Sequence, residues 1–101
     1  MATLDVSVTP LNGSCVVVLE GDLDVSTAPL LRSQLDRVGG HVLIDCRELN
    51  FVDSVGLGEL MRLANQAESI VLARPRDQLR RVVELMGLAE TLGLVNDDVP
   101  R

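Results

Sequence analysis

Ser54 is the residue on which chemistry could turn. It follows Asp53 and precedes Val55-Gly56-Leu57-Gly58, where a polar connection gives way to an apolar helical pattern. A serine at a helix start lies among backbone N–H groups that have no partner within the helix, and the helix dipole favours negative charge there. That environment suits a phosphate acceptor. A second polar stretch, Asp22-Leu23-Asp24-Val25-Ser26-Thr27, adds two carboxylates and two hydroxyls. Asp22, Asp24 and Asp53 are expected to converge around Ser54, with Ser26 and Thr27 nearby. Three carboxylates around one hydroxyl do not make a serine nucleophile, because no histidine or lysine base accompanies them. Nor does the spacing reproduce a calcium-binding loop. A phosphate acceptor or a docking surface remains. Either Asp53 or Ser54 also suits a plain helix N-cap. Gly56 and Gly58 each cost about 1 kcal/mol against alanine inside a helix. Their presence in the first turns implies low bulk where another protein approaches the backbone.

Composition narrows the chemistry further. The chain has 101 residues, 9 basic and 15 acidic, for a net charge of −6. With no Trp, no Tyr and one Phe, it lacks the cationic footprint and the stacking platforms of a nucleic-acid binder. Cys15, Cys46 and His41 do not supply a structural zinc set. No cofactor is expected, and an enzyme is disfavoured. No apolar run is long enough to span a bilayer, so no membrane insertion is expected. The start, Met-Ala-Thr-Leu-Asp, lacks a signal-peptide pattern, so the expectation is a cytoplasmic protein. The length fits one domain over residues 1–101, with a frayed tail at 96–101.

The elements that must position these residues follow from hydrophobic periodicity. Leu4–Val8 alternates as a strand, Asn12-Gly13 marks a tight turn, and Cys15–Glu20 is a second, antiparallel strand. Its run Val16-Val17-Val18-Leu19 predicts cover on both faces, as in an α/β sheet. Gly21 is expected to end that strand, and Ser26 or Thr27 to cap a helix whose Ala28, Leu31, Leu35 and Val38 share a face up to Gly39-Gly40. His41–Asp45 reads as a parallel strand, and Arg47–Val52 as a loop. A second helix carries Leu57, Leu60, Met61 and Ala64 inward. Ser69–Ala73 is a third parallel strand, broken by Arg74-Pro75. A third helix buries Leu79, Val82, Val83 and Met86 and is capped by Gly87; Leu92–Val95 adds a short strand. The order ββαβαβα(β) predicts a small α/β domain with a mixed sheet of four to five strands and about three helices. In such sheets, sites form beyond the carboxyl ends of the parallel strands. The two polar stretches both lie there.

Arg74, Arg76, Arg80 and Arg81 gather at the start of the third helix, as a solvated face or a second partner surface. His41, at a strand entrance, reads as structural. Cys15 and Cys46 are placed roughly 13–17 Å apart, four or five strand residues, which forbids a disulfide between them.

The segments Glu20-Gly21-Asp22-Leu23-Asp24 and Phe51-Val52-Asp53-Ser54-Val55-Gly56-Leu57-Gly58 strongly resemble the STAS family, and within it the bacterial anti-sigma factor antagonists. The likeness runs from about Leu4 to Val95 and includes Leu85-Met86-Gly87-Leu88. Two departures stand out. The connection Asn65–Ser69 is shorter than the Gly-rich one common in the family, and Val55 stands where a second small polar residue is usual. The resemblance implies that Ser54 is phosphorylated by a partner anti-sigma factor that is also a serine kinase. A serine phosphatase is a candidate second partner. It implies that Asp24 serves partner docking, and that the unphosphorylated form binds the anti-sigma factor and frees a sigma factor. The wider partner surface would comprise Asp22, Asp24, Ser26, Thr27, Asp53, Ser54, Val55, Gly56, Leu57 and Gly58. An alternative branch is a non-catalytic STAS subunit that supports the ATPase of a lipid-transport complex.

Overall fold

A computed structural model describes residues 3–95. The tail expected to fray lies outside the described residues. Five strands form one sheet in the order β1-β2-β3-β4-β5, namely β1 (Leu4–Leu11), β2 (Ser14–Leu23), β3 (His41–Val52), β4 (Ser69–Ala73) and β5 (Gly93–Val95). The helices are α1 (Ala28–Gln34), α2 (Ser54–Gln66) and α3 (Asp77–Leu85). β1 runs antiparallel to β2, and all later neighbours pair in parallel. The expected element order and mixed sheet are the observed ones. Gly13 adopts φ 70° in the hairpin turn, a conformation that favours glycine.

Alternate strand residues share one core with the helices. Cys15, Val17 and Leu19 of β2, Val42, Ile44 and Cys46 of β3, and Ile70 and Leu72 of β4 all join it. Leu31 of α1, Leu57, Leu60 and Leu63 of α2, and Leu79 and Val83 of α3 pack against that set. The intervening Val16, Val18, Leu43 and Val71 belong to the opposite face. The three helices share the one core, yet on the other face Val16 and Asp45 are buried and Val18, Leu43 and Val71 half-buried, so the cover on both faces expected from the apolar run in β2 is met in part.

The strand boundaries also change. β1 continues three residues past Val8. Gly21 does not end β2. It sits at φ 115°, where an added Cβ would stand 2.2 Å from the Thr3 carbonyl oxygen, and Asp22 N–H donates to that oxygen at 2.8 Å. The N-terminal segment thus holds β2 extended as far as Leu23. Residues 47–52, expected as a loop, are strand. β3 pairs with β2 to its end but carries two extra residues, one between the pairs Val18–Asp45 and Glu20–Glu48, the other between Gly21–Leu49 and Asp22–Phe51. Its inward residues are Val42, Ile44, Cys46, Leu49 and Val52, with the spacing lengthening from two to three. β-Bulges break the period-two signal without ending the strand.

One helix end is likewise revised. α1 stops at Gln34, and Val38 is half-buried beyond it. The Gln66 side chain caps the turn by donating to the carbonyls of Leu35 and Asp36 at 3.2 and 3.1 Å. α3 ends as expected at Gly87, φ 68°, with Leu88 N–H donating to Val83 and Gly87 N–H to Glu84. This pair of bonds is a Schellman cap. Met86, however, is 62% exposed rather than core.

Cys15 and Cys46 are both free and buried, and Cys46 lies within β3 rather than past its end. Cys15 pairs with Val42, four residues before Cys46, so the expected separation stands. Burial pushes the Cys46 thiol up to about 12, with the Asp45 carboxylate adding to the effect.

Candidate functional site at the starts of two helices

The carboxyl ends of β2 and β3 place Asp22–Thr27 beside Asp53–Gly58. Leu23 and Val52 are paired, and Asp53 N–H donates to the Leu23 carbonyl at 3.2 Å. Asp53 then supplies the cap for α2. One carboxylate oxygen accepts from Gly56 N–H at 2.8 Å, and the other accepts from Val25 N–H at 3.0 Å. One side chain thereby satisfies an unpaired N–H of α2 and ties the β2–α1 loop to that helix start.

With Asp53 in that role, Ser54 occupies the first turn, exposed, and its hydroxyl has no hydrogen-bond partner among the described residues. The expected convergence is only partly observed. Asp24 turns into its own loop and accepts from Ser26 N–H at 2.9 Å, the Ser26 hydroxyl at 2.6 Å and Thr27 N–H at 3.1 Å. These bonds, the Ser26 hydroxyl first, hold its carboxyl below the ordinary carboxylate range. Thr27 is buried, and its hydroxyl donates to the Asp22 carbonyl at 2.8 Å while accepting from Asp24 N–H at 2.9 Å. Thr27 occupies the N-cap position of α1 without a capping side-chain bond. The hydroxyls of Ser26 and Thr27 are thus engaged within the loop, whereas that of Ser54 is available.

The two glycines of the motif part company. An added Cβ at Gly56 would stand 2.3 Å from the Leu23 carbonyl oxygen and 2.8 Å from Leu23 Cγ. Gly56 therefore lets α2 pack against β2, which corrects the expectation that it leaves room for another protein. At Gly58 nothing lies within 4 Å of such a Cβ, so this position is open as expected. Leu57 is 4% exposed and belongs to the core.

Sequence reasoning missed two supports of the site. Gln78 of α3 donates to the Val52 carbonyl at 2.9 Å and accepts from Val52 N–H at 3.2 Å. β4 pairs with β3 only as far as Asp45, so this amide stands in for the missing neighbouring strand. An Asn or Gln opposite an unpaired strand end cannot be told from a surface residue in sequence alone.

The second is a charged fork between α1 and α2. Arg32 donates to both oxygens of Glu59, and Arg62 Nε donates to Oε2 at 3.2 Å. Arg32, more than Arg62, holds the Glu59 carboxyl below its ordinary value. Arg32 and Glu59, with Ser33 and Asp36, line a groove of about 500 Å³ whose apolar wall is Val25, Ala28, Pro29 and Val55. Val25 and Val55 are 65% and 45% exposed, immediately beside Asp24 and Ser54. Among the described residues, no helix is long and apolar enough to cross a membrane.

Comparison with known proteins agrees with this architecture. An anti-sigma F factor antagonist of Paenibacillus polymyxa is 27% identical over 96 residues, which cover 86% of this chain and 82% of the relative. An anti-sigma-B factor antagonist of Listeria monocytogenes is 28% identical over 88 residues, covering 79% and 77%. The crystal structure of an anti-sigma factor antagonist from Mycobacterium paratuberculosis matches with a TM-score of 0.84 at 25% identity, covering 94% of this chain and 87% of that one. A family model described as "Mlab, STAS domain" matches residues 7–96. The chain belongs to the STAS domain family.

Proposed function

We propose that this protein is an anti-sigma factor antagonist that docks an anti-sigma serine kinase through the starts of α1 and α2, frees the sigma factor, and is switched off by phosphorylation of Ser54. One observation carries the reading: Ser54 is exposed in the first turn of α2 while Asp53 performs the capping, so its hydroxyl can be modified without loss of the cap. The names of the related proteins support the antagonist role. The protein acts by binding and performs no catalysis of its own.

A phosphate adds about −1.5 to −2 charge and three acceptor oxygens. The unpaired N–H groups of α2 tolerate it locally, so the fold persists. The docking surface, already carrying Asp22, Asp24 and Asp53, becomes more negative and bulkier. Binding is lost without unfolding.

Incubation with the kinase and ATP should add one phosphate, absent in Ser54→Ala. In titrations against the kinase with ADP present, Ser54→Ala should bind as wild type does. Ser54→Asp should bind more weakly, though less weakly than phosphoserine. Modification at Ser26 instead would defeat the assignment. Equal affinity of Ser54→Asp and wild type would favour the second reading, a static STAS subunit supporting a transport ATPase.

A further inference from the structure

Resting on the reading that the starts of α1 and α2 dock the anti-sigma partner, we infer that the α1–α2 groove receives a basic side chain of that partner. Its aliphatic stem lies on the apolar wall, and its charge meets the Asp36 carboxylate.

The groove is a stripe down two helices. α1 supplies Pro29, Arg32 and Ser33, Asp36 follows just past its end, and α2 supplies Val55 and Glu59, one turn apart. The trough therefore runs from the helix starts, where Val25 and Val55 are exposed, toward Asp36. Within the lining, Arg32 and Glu59 cancel each other through two hydrogen bonds. Arg62, which also donates to Glu59, and Arg37 lie outside the lining. Asp36 is the charge left over. It is exposed, its backbone carbonyl accepts from Gln66, and its carboxylate has no hydrogen-bond or ion-pair partner among the described residues.

Charge complementarity selects the occupant. The adjoining edge adds Asp22, Asp24 and Asp53, and no basic residue occurs within 22–27 or 53–58. An acidic group would meet like charge along its whole approach. A purely apolar one would desolvate Asp36 with no partner to offset the loss. A lysine or arginine suits both features, because its methylene stem covers the apolar wall while its charged head stays at the wet rim. A phosphate on Ser54, next to Val55, would offer that head a rival anion before it reaches Asp36 and hold it out of register.

The test is a binding titration of the full chain against the purified anti-sigma serine kinase with ADP, at two salt concentrations. Asp36→Asn should weaken binding about fivefold and flatten its salt dependence, the upper range of one exposed ion pair. Asp36→Glu should stay within about threefold of wild type, and Asp36→Arg should lose about twentyfold, since repulsion replaces attraction. Thermal unfolding of Asp36→Asn should match wild type, because the carboxylate holds no partner in the free protein. A photocrosslinker at Ser33 should capture a kinase segment that contains Lys or Arg. Wild-type affinity in Asp36→Asn or Asp36→Arg, an equal salt-independent loss in Asp36→Asn and Asp36→Glu, or a captured segment without a basic residue would each overturn the inference. Wild-type protein that binds no such kinase would overturn the docking reading, and the inference with it.

Discussion

α1 and α2 begin on the same edge of the sheet, yet their first turns are organised in opposite ways. At α1 the side chains point back into the loop: Asp24 gathers Ser26 and Thr27, and Thr27 closes onto the Asp22 carbonyl. At α2 one carboxylate, Asp53, caps the helix and holds the neighbouring loop, which leaves Ser54 open. The first arrangement ties its hydroxyls up in hydrogen bonds, and the second leaves one free of them. Three serine or threonine residues near a helix start are therefore not equivalent acceptors, and capping geometry decides between them.

The largest expected break in this arrangement is Gly56→Ala. Its Cβ meets backbone at Leu23, which cannot rotate away, so the start of α2 must lift off β2. A loss of about 3 kcal/mol is expected in urea unfolding. Gly58→Ala, one turn position away with open space around it, should instead gain roughly 0.5–1 kcal/mol.

Asp53→Ala removes the cap and the anchor of Val25 together, and should cost about 1–2 kcal/mol. Ser54→Ala removes no cap and should stay within about 0.5 kcal/mol of wild type. A larger loss in Ser54→Ala than in Asp53→Ala, by the same measurement, would invert the comparison.

The smallest effect is confined to the start of α1. Hydrogen bonds lower the Asp24 pKa, so the ionised form is favoured in the folded loop. That contribution is present above the ordinary carboxylate pKa and fades as pH falls through the lowered folded value. In an acid titration followed by NMR, the Ser26 and Thr27 amide signals should move together through a transition that Asp24→Asn abolishes. Asp24 holds the Ser26 and Thr27 amides in place, so Asp24→Ala should quicken hydrogen exchange at both.

Most of the architecture was legible because periodicity and turn residues agreed. The hairpin at Asn12-Gly13, strand β4 and the Gly87 cap each carry a local signal strong enough to stand alone. The second half of β3 was not legible. Two bulges re-phase its inward residues, so Leu49 and Val52 fall out of step with Val42 and Ile44. Met86 misled because the helical stripe that buries Val83 ends before it. Within the site, Ser54 and Asp53 were visible as a pair, but the division of labour between them depends on Val25, a residue 28 positions away. The Arg32–Glu59 fork and the Gln78 contact are likewise long-range, spanning 27 and 26 positions.

The Gln78 contact has a consequence for how the chain can be divided. Every residue of the proposed switch lies before β4, and a fragment ending at Ala73 would retain both helix starts. Such a fragment would nevertheless free the N–H and carbonyl of Val52, the residue from which Asp53 turns into α2. The portion after β4 is thus a brace rather than an appendage, and any ligand or truncation that displaced α3 would be felt at Ser54 through a single amide side chain.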